Sequence, residues 1–274
     1  MRLPAFRWQE EGEVKYLVFE HFGRTGLVAH GFTSRHGGVS AGEYATLNLA
    51  FHVGDDPQRV LANREIACRA LGINPAHLVA GEQVHGANVA VVGKGERGRG
   101  ATSPEGALPA TDALVTAEPL VPLSAYFADC VPVFLLDPLR GVAGLAHAGW
   151  RGTCLGVAAR TVKAMCRRFG SRPADLLAAI GPAIGPCCYQ VGEDVAGRVR
   201  ESLSSWPELL VPGGPGKWHL DLREANRRLL LEAGLDPANI AVAELCTCCR
   251  QDLFFSHRGS RGRTGRMAAF IMLR

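Results

Sequence analysis

Three segments of this 274-residue sequence place a potential metal ligand at the end of a run that reads as a β-strand. They are Gln83-Val84-His85-Gly86, Ala128-Asp129-Cys130-Val131-Pro132-Val133 and Ala146-His147-Ala148-Gly149-Trp150-Arg151-Gly152. Two imidazoles and one thiolate hold Zn²⁺ through three tetrahedral positions and leave the fourth open, the arrangement of a catalytic site and not of a closed structural one. Cys130 and His147 at hydrogen-bond reach would also serve a second chemistry, a cysteine-nucleophile hydrolase or deamidase in which His147 is the base. A third reading is a non-enzymatic protein that binds a metal or a partner. Spacing alone leaves all three open.

The elements that must position these residues are legible from periodicity. Val14–Phe19 and Leu27–Phe32 are rich in β-formers and bounded by glycine, so they read as strands. Asp55-Asp56-Pro57 opens a helix with Val60, Leu61, Ile66, Ala67, Ala70 and Leu71 at helical spacing and Gly72 as its stop. Short β-like runs follow at Leu78–Gln83, Asn88–Val92, Ala113–Thr116, Leu123–Ala128, Val131–Leu136 and Val142–His147. The turn Asp137–Gly141 between the last two lets Cys130 and His147 meet, whereas His85 must be brought in by tertiary structure. Thr153 reads as the cap of a helix running through Val157 and Val162 to Phe169, ended by Gly170. Leu176–Ile180 is a further strand, helices are expected from Glu193 and over Asp221–Ala233, and Ile240–Glu244 and Met267–Leu273 close the chain as strands. Strands and helices without strict alternation predict an α+β layered fold. The weakly hydrophobic stretch 93–109 is expected to be an exposed excursion from one domain spanning 1–274.

Composition narrows the function classes. With 47% hydrophobic and 20% charged residues the chain can bury a full core, so disorder and fibrous classes are excluded. The net charge is +4, with arginines spread along the chain and no basic block to neutralise a phosphate backbone, so no nucleic-acid partner is expected. No apolar run is long enough to span a bilayer and the N-terminus Met1–Arg7 lacks the apolar stretch of an export signal, so no membrane partner and a cytoplasmic location are expected. The nine cysteines, an odd number, then read as reduced thiols.

The words themselves carry more than the spacing. Gln-Val-His-Gly, Ala-Asp-Cys-Val-Pro-Val, His-Ala-Gly-Trp-Arg-Gly and Gly181-Pro182-Ala183-Ile184-Gly185-Pro186-Cys187-Cys188-Tyr189-Gln190-Val191, in this order, resemble the YfiH family, also called the laccase-domain or polyphenol-oxidase family. The resemblance extends to Phe32–Ser40, to Asn48-Leu49 with His52–Asp56, to Thr111–Thr116, and to Phe254-Phe255-Ser256 with Thr264–Ala268, and so covers nearly the whole chain. One departure is Ser256-His257-Arg258-Gly259, where the family commonly reads Ser-Tyr-Arg-Arg.

The resemblance implies a single-domain, four-layer α/β/β/α sandwich with mixed sheets and a zinc site on His85, Cys130 and His147. It also implies action on purine nucleosides: phosphorolysis of adenosine, inosine and methylthioadenosine, together with adenosine deamination. Purine nucleosides and phosphate would be the only partners of a monomer or weak homodimer. Cys130, His85, His147 and Asp129 are then the expected catalytic residues, with Asp129 and Asp112 as proton relays or ligand partners. Arg35 and Arg151, each in a glycine-bearing loop, are candidates for gripping phosphate, and Asn48 and Trp150 for contacting substrate; Trp150 or Tyr189 could stack on a purine. The family's copper and laccase label fits the residues poorly. A multicopper oxidase needs many histidines, characteristically in His-x-His pairs, and none of the nine histidines here forms one. Cu²⁺ would enter the single site by outcompeting zinc, with phenol oxidation as a by-product.

Three patterns are expected to be decoys. Gly93-Lys94-Gly95-Glu96-Arg97-Gly98 matches a dinucleotide-binding glycine motif, but Arg99–Pro104 cannot supply the helix N-terminus that a pyrophosphate needs. Cys246-Thr247-Cys248-Cys249 with Cys187-Cys188 has the makings of a second metal or redox site, yet no thioredoxin-like helix pattern follows, so buried reduced thiols are expected. The zinc-deaminase signature H-x-E with P-C-x-x-C does not occur, so deamination here would be an independent invention.

Overall fold

Two strands, β8 (Val131–Asp137) and β9 (Val142–Ala148), are buried at every position. A strand that is apolar on both faces must be covered on both, and the fold follows from that requirement. In the computed structural model, which describes residues 5–274, β8 and β9 lie at the centre of a six-stranded sheet. Its order is β14 (Ile240–Val242), β10 (Leu177–Ile180), β8, β9, β6 (Ala113–Thr116), β5 (Val89–Val91). A second six-stranded sheet runs β1 (Phe6–Glu11), β2 (Val14–Phe19), β3 (Val28–Thr33), β15 (Met267–Leu273), β7 (Leu123–Phe127), β4 (Val79–Ala80). Both are mixed, with parallel pairs β10/β14, β5/β6 and β4/β7 among antiparallel neighbours. Met1–Pro4, part of the stretch read for an export signal, lie outside the described residues.

Side-chain alternation sets the layers. Phe134, Leu136 and Leu145 face Leu17, Phe32, Phe127 and Ile271 in one core between the sheets. The neighbours Val133, Leu135 and Ala146 point the other way, onto α4 (Val157–Phe169), α5 (Glu193–Ser202) and α6 (Leu222–Glu232). On the far side, Tyr16, Val18, Phe270 and Met272 pack with Ala67 and Cys68 of α2 (Pro57–Ala70). The result is the expected four-layer α/β/β/α arrangement; two short helices, α1 (Glu20–Gly23) and α3 (Trp150–Cys154), complete the set. A small three-stranded sheet of β11 (Gln190–Gly192), β13 (Lys217–Leu220) and β12 (Leu210–Pro212) stands apart. No helix among the described residues is long and apolar enough to cross a membrane.

The helix ends obey local chemistry. Asp56 caps α2 by accepting the Gln58 N–H, with Pro57 in the first turn, and Asp221 caps α6 by accepting those of Arg223 and Glu224. Thr153 does not cap α4. It lies inside α3, its hydroxyl accepts a hydrogen bond from Asn226, and α4 starts from Gly156 in a left-handed conformation. The expected strand at Leu78–Gln83 shrinks to β4, because from Gly81 on the backbone bonds to residues 108–111 instead of β7, and Gly81 passes Thr111 so closely that a Cβ would lie 2.2 Å from its carbonyl oxygen. The chain leaves the sheet there, and residues 82–86 become a loop. The 93–109 segment is no free excursion: Gly100 and Ala101 are buried, and their carbonyls accept from the Arg64 guanidinium, itself held between the Phe51 and Tyr126 rings.

His30, 6% exposed in β3, accepts the Phe19 N–H at 2.9 Å through Nε2, which requires the neutral ring. Burial first, then the charges of His21, Arg7 and Arg274, push its pKa down to about 3. The unfolded chain binds that proton near pH 6.5, so stability falls as pH drops below that value, by about 2 kcal/mol between pH 7 and pH 5 from this residue. Denaturant titrations of wild type and His30→Gln at the two pH values should show that share of the loss only in the wild type; equal losses would reject the assignment.

Candidate active site

The site is organised around the buried carboxylate of Asp112, immediately before β6. Oδ1 accepts the His85 N–H at 3.0 Å and the His147 Nδ1–H at 2.9 Å. Oδ2 accepts the N–H groups of Gly86 at 2.7 Å and Val84 at 3.3 Å. Burial pushes this carboxyl up, but the His147 bond and charge and the backbone donors outweigh it and hold the pKa below the usual carboxylate value. The three amides wrap the 84–86 loop around the anion, with His85 in the left-handed region at φ 60°. The bond to His147 occupies Nδ1 and leaves Nε2 as the ring's free nitrogen.

Cys130 precedes β8 by one residue, and the register Pro132↔His147 across the β8–β9 hairpin sets it beside the His147 side chain. Asp137 builds the turn by accepting the N–H groups of Leu139 and Arg140, and Gly141 takes the left-handed conformation at φ 63°. The ligating atoms of His85, Cys130 and His147 all lie within 4.8 Å of one another, and the two imidazoles meet edge to face at 5.0 Å between ring centres. Gly149 closes over them: a Cβ there would stand 2.7 Å from His85 Cδ2 and 3.1 Å from Cys130 Sγ. Burial pushes the Cys130 thiol up, but the His147 charge and hydrogen bonds from both imidazoles bring it down to about 6. Burial opposes protonation of His147, and the Cys130 thiolate with Asp112 raises it to about 9. A thiolate with two imidazoles, one already oriented by a carboxylate, fits a three-ligand metal site with an open position.

A cavity of about 310 Å³ lies in front of this group. Its wall includes His52, Gln83, Ile184 and Arg266, which sequence reasoning did not nominate, and His257 and Arg258 from the loop that departs from the family pattern. His52 and Arg266 stood inside quoted family words, but nothing local in those words tells a cavity residue from a structural one. Arg266 is half-buried, and burial lowers its pKa. Burial and the surrounding Arg266, His147, Arg64 and His85 push His52 down to about 4, so its ring is neutral. Tyr189 lines the cavity, with the Arg258 guanidinium 5.1 Å over its ring. Through His52, Gln83 and Tyr126 this cavity adjoins a second, of about 500 Å³, lined by Arg64 and the 100–107 segment.

The other nominated residues are placed differently. Asp129 lines the cavity, but its carboxylate is committed: Oδ1 accepts the hydroxyls of Thr247 and Ser256, and Oδ2 accepts the Arg258 N–H. It is a clasp and not a free base. Arg35 lies outside the cavity wall, donating to the carbonyls of Ala45 and Gln251 with its guanidinium over Phe255. Arg151 is exposed, stacked on Trp150, and Trp150 packs against the helix-side core. Asn48 is fully buried and accepts the Arg266 N–H at 2.9 Å, so it positions a cavity arginine instead of touching the cavity. The cysteines near residues 187 and 246, expected to be buried, form a second close group of which Cys187 and Cys249 are exposed.

Asp112→Asn loses the anion that folds the 84–86 loop and fixes the His147 ring, and should weaken metal binding about 10–100-fold in a chelator competition. Gly149→Ala should weaken it as well while leaving the far-ultraviolet circular dichroism unchanged. Wild-type affinity in both variants would show that neither contact shapes the site.

Comparison with known proteins bears on the fold and the family. The model of the family described as "Multi-copper polyphenol oxidoreductase laccase" matches residues 29–274. The chain is 48% identical over 249 residues to "Purine nucleoside phosphorylase YlmD" of Geobacillus stearothermophilus, with 90% of each chain covered. It is 37% identical to "Adenosine deaminase RL5" of an unknown prokaryotic organism, covering 81% of this chain and 85% of that one. The crystal structure of the Bacillus licheniformis protein YfiH superposes with a TM-score of 0.94 at 41% identity, over 99% of this chain and 100% of that one. A fold match and a sequence match that coincide over nearly the full length have one reading: the chain belongs to the YfiH, or laccase-domain, family.

Proposed function

We propose that this protein is a zinc-dependent purine nucleoside phosphorylase that converts adenosine, inosine or methylthioadenosine and phosphate to free base and the sugar 1-phosphate, and that it also deaminates adenosine. The observation that carries the reading is the His85, Cys130 and His147 group opening on a cavity in a chain whose relatives bear those two names. Zinc held by these three residues would act as a Lewis acid at the open position. His85 also favours the metal over a cysteine nucleophile, since a Cys130–His147 pair needs one imidazole base and not two. Copper we read as a substitute occupant, because among the described residues no second group containing histidine has metal-binding spacing.

The chain's own residues supply the rest. In phosphorolysis a phosphate oxygen replaces the base at the anomeric carbon, and the purine leaves with the bond's electron pair. Negative charge therefore enters on one side of the sugar and departs on the other, and both must be met by cations or donors. Arg266 is the phosphate partner we assign in place of Arg35 and Arg151: it faces the cavity, and among the described residues its side-chain hydrogen bonds all leave from Nη1. Tyr189, backed by Arg258, offers a flat surface for the purine, and neutral His52 a hydrogen-bond acceptor for a sugar hydroxyl. Nine free thiols suit a reducing compartment, and we place the protein in the cytoplasm.

Release of ribose 1-phosphate from adenosine should require phosphate in the zinc-loaded protein and vanish in Cys130→Ala. Phosphate-independent turnover that survives metal removal and is blocked by alkylating Cys130 would instead establish the hydrolase. Arg266→Ala should raise the phosphate KM about 10–100-fold with little change in nucleoside KM, the loss of a charge-assisted contact. An unchanged phosphate KM would remove Arg266 from the phosphate site.

A further inference from the structure

The loop between β10 and β11 carries Cys187 and Cys188, and the segment after β14 carries Cys246 and Cys249. The four Sγ atoms lie within 4.8 Å of one another, with Cys249 3.5 Å from Cys187 and 3.4 Å from Cys188. One tetrahedral ion with Zn–S bonds of about 2.3 Å separates its sulfurs by about 3.8 Å, so small side-chain rotations suffice to enclose it. The surroundings suit bound thiolates. Cys246 Sγ accepts the Gly185 N–H at 3.2 Å, and Gly185 allows this approach, since a Cβ there would lie 3.2 Å from Cys187 Sγ and 2.9 Å from Arg223 Nη2. The Arg223 guanidinium lies beside Gly185, and the Arg258 guanidinium donates to the carbonyls of Cys188 and Gln190, so two cations are near the segments that would carry the net charge of about −2 left when four thiolates hold a divalent cation.

We propose that Cys187, Cys188, Cys246 and Cys249 bind one zinc ion as a closed tetrathiolate, distinct from the His85, Cys130 and His147 group. Four protein ligands leave no open position, so the ion is structural. It would tie together two segments that build the cavity wall. Ala183 pairs with Cys246 in an isolated bridge, and Ile184 N–H donates to the Asp129 carbonyl. Thr247, next to Cys246, donates its hydroxyl to the Asp129 carboxylate at 2.6 Å, and Tyr189 follows Cys188 directly. Cys248 lies outside the group.

The test separates the two sites by metal content, with no recourse to turnover. Protein purified under anaerobic, reducing conditions should hold about two zinc ions per chain, and His85→Ala/Cys130→Ala should keep about one. X-ray absorption at the zinc edge of that variant should show four sulfur neighbours at about 2.3 Å and no nitrogen. Adding Cys187→Ser/Cys249→Ser should abolish the remaining zinc. Folded His85→Ala/Cys130→Ala protein that binds no zinc overturns the proposal, as does a mixed nitrogen and sulfur signature or a disulfide within the group. If the quadruple variant does not fold, the absorption spectrum of the double variant decides alone.

Discussion

One carboxylate holds the ligand group in register. Four donors converge on Asp112, three from consecutive backbone amides and one from His147, so a single buried anion fixes both the conformation of the 84–86 loop and the orientation of an imidazole from the opposite side of the site. A buried carboxylate costs several kcal/mol unless hydrogen bonds replace its lost water, and here the replacement is what brings the ligands together. Desolvation and assembly are the same event. The arrangement also explains why His85 can sit in left-handed backbone space on a loop that has already left the sheet: the amides on either side of it are pinned to the same anion.

Around that centre the cavity is built from distant stretches of chain. His52 comes from the turn before α2, Tyr189 from the loop before β11, and Arg258 and Arg266 from the segment leading into β15. Three buried groups tie these contributions in place: Asn48 holds the Arg266 backbone, Asp129 clasps Thr247, Ser256 and the Arg258 N–H, and Arg64 is pinned between aromatic rings. The Asn48 and Asp129 side chains bond within the protein through both of their polar atoms, which suits supports rather than proton carriers.

How far this could be read from the sequence follows from what each part depends on. Nearly continuous apolar runs such as Val131–Asp137 and Met267–Leu273 are specified by burial on both faces, and these two strands were legible to within a residue, whereas the short β11, β12 and β13 were not. Capped helices were legible wherever the cap is local, as at Asp56 and Asp221, and misread at Thr153, whose hydroxyl bonds Asn226 from another helix. The edge strand Phe6–Glu11, with the sequence FRWQEE, has too little apolar content to stand out. In the site, residue type put forward His85, Cys130 and His147, spacing left their chemistry open, and the resemblance of the surrounding words favoured the metal reading. Arg35 and Arg151 do not line the cavity, because glycine neighbours mark loops in general, while facing a cavity depends on tertiary packing: Arg35 spends its donors on carbonyls and Arg266 looks into the cavity.

The place of β15 in the second sheet bears on how the molecule is made. It pairs with β3 on one side and β7 on the other, so it is an interior strand drawn from residues 267–273. During synthesis β3 and β7 emerge well before β15 and must wait with unpaired backbone edges until it has been added, because among the described strands β15 fills the gap between them. Such exposed edges are templates for unwanted pairing, and contacts this remote in sequence form slowly. The nascent chain therefore carries these open edges until residues 267–273 have been made, and Arg266, at the threshold of that strand, reaches the cavity only as the sheet is sealed.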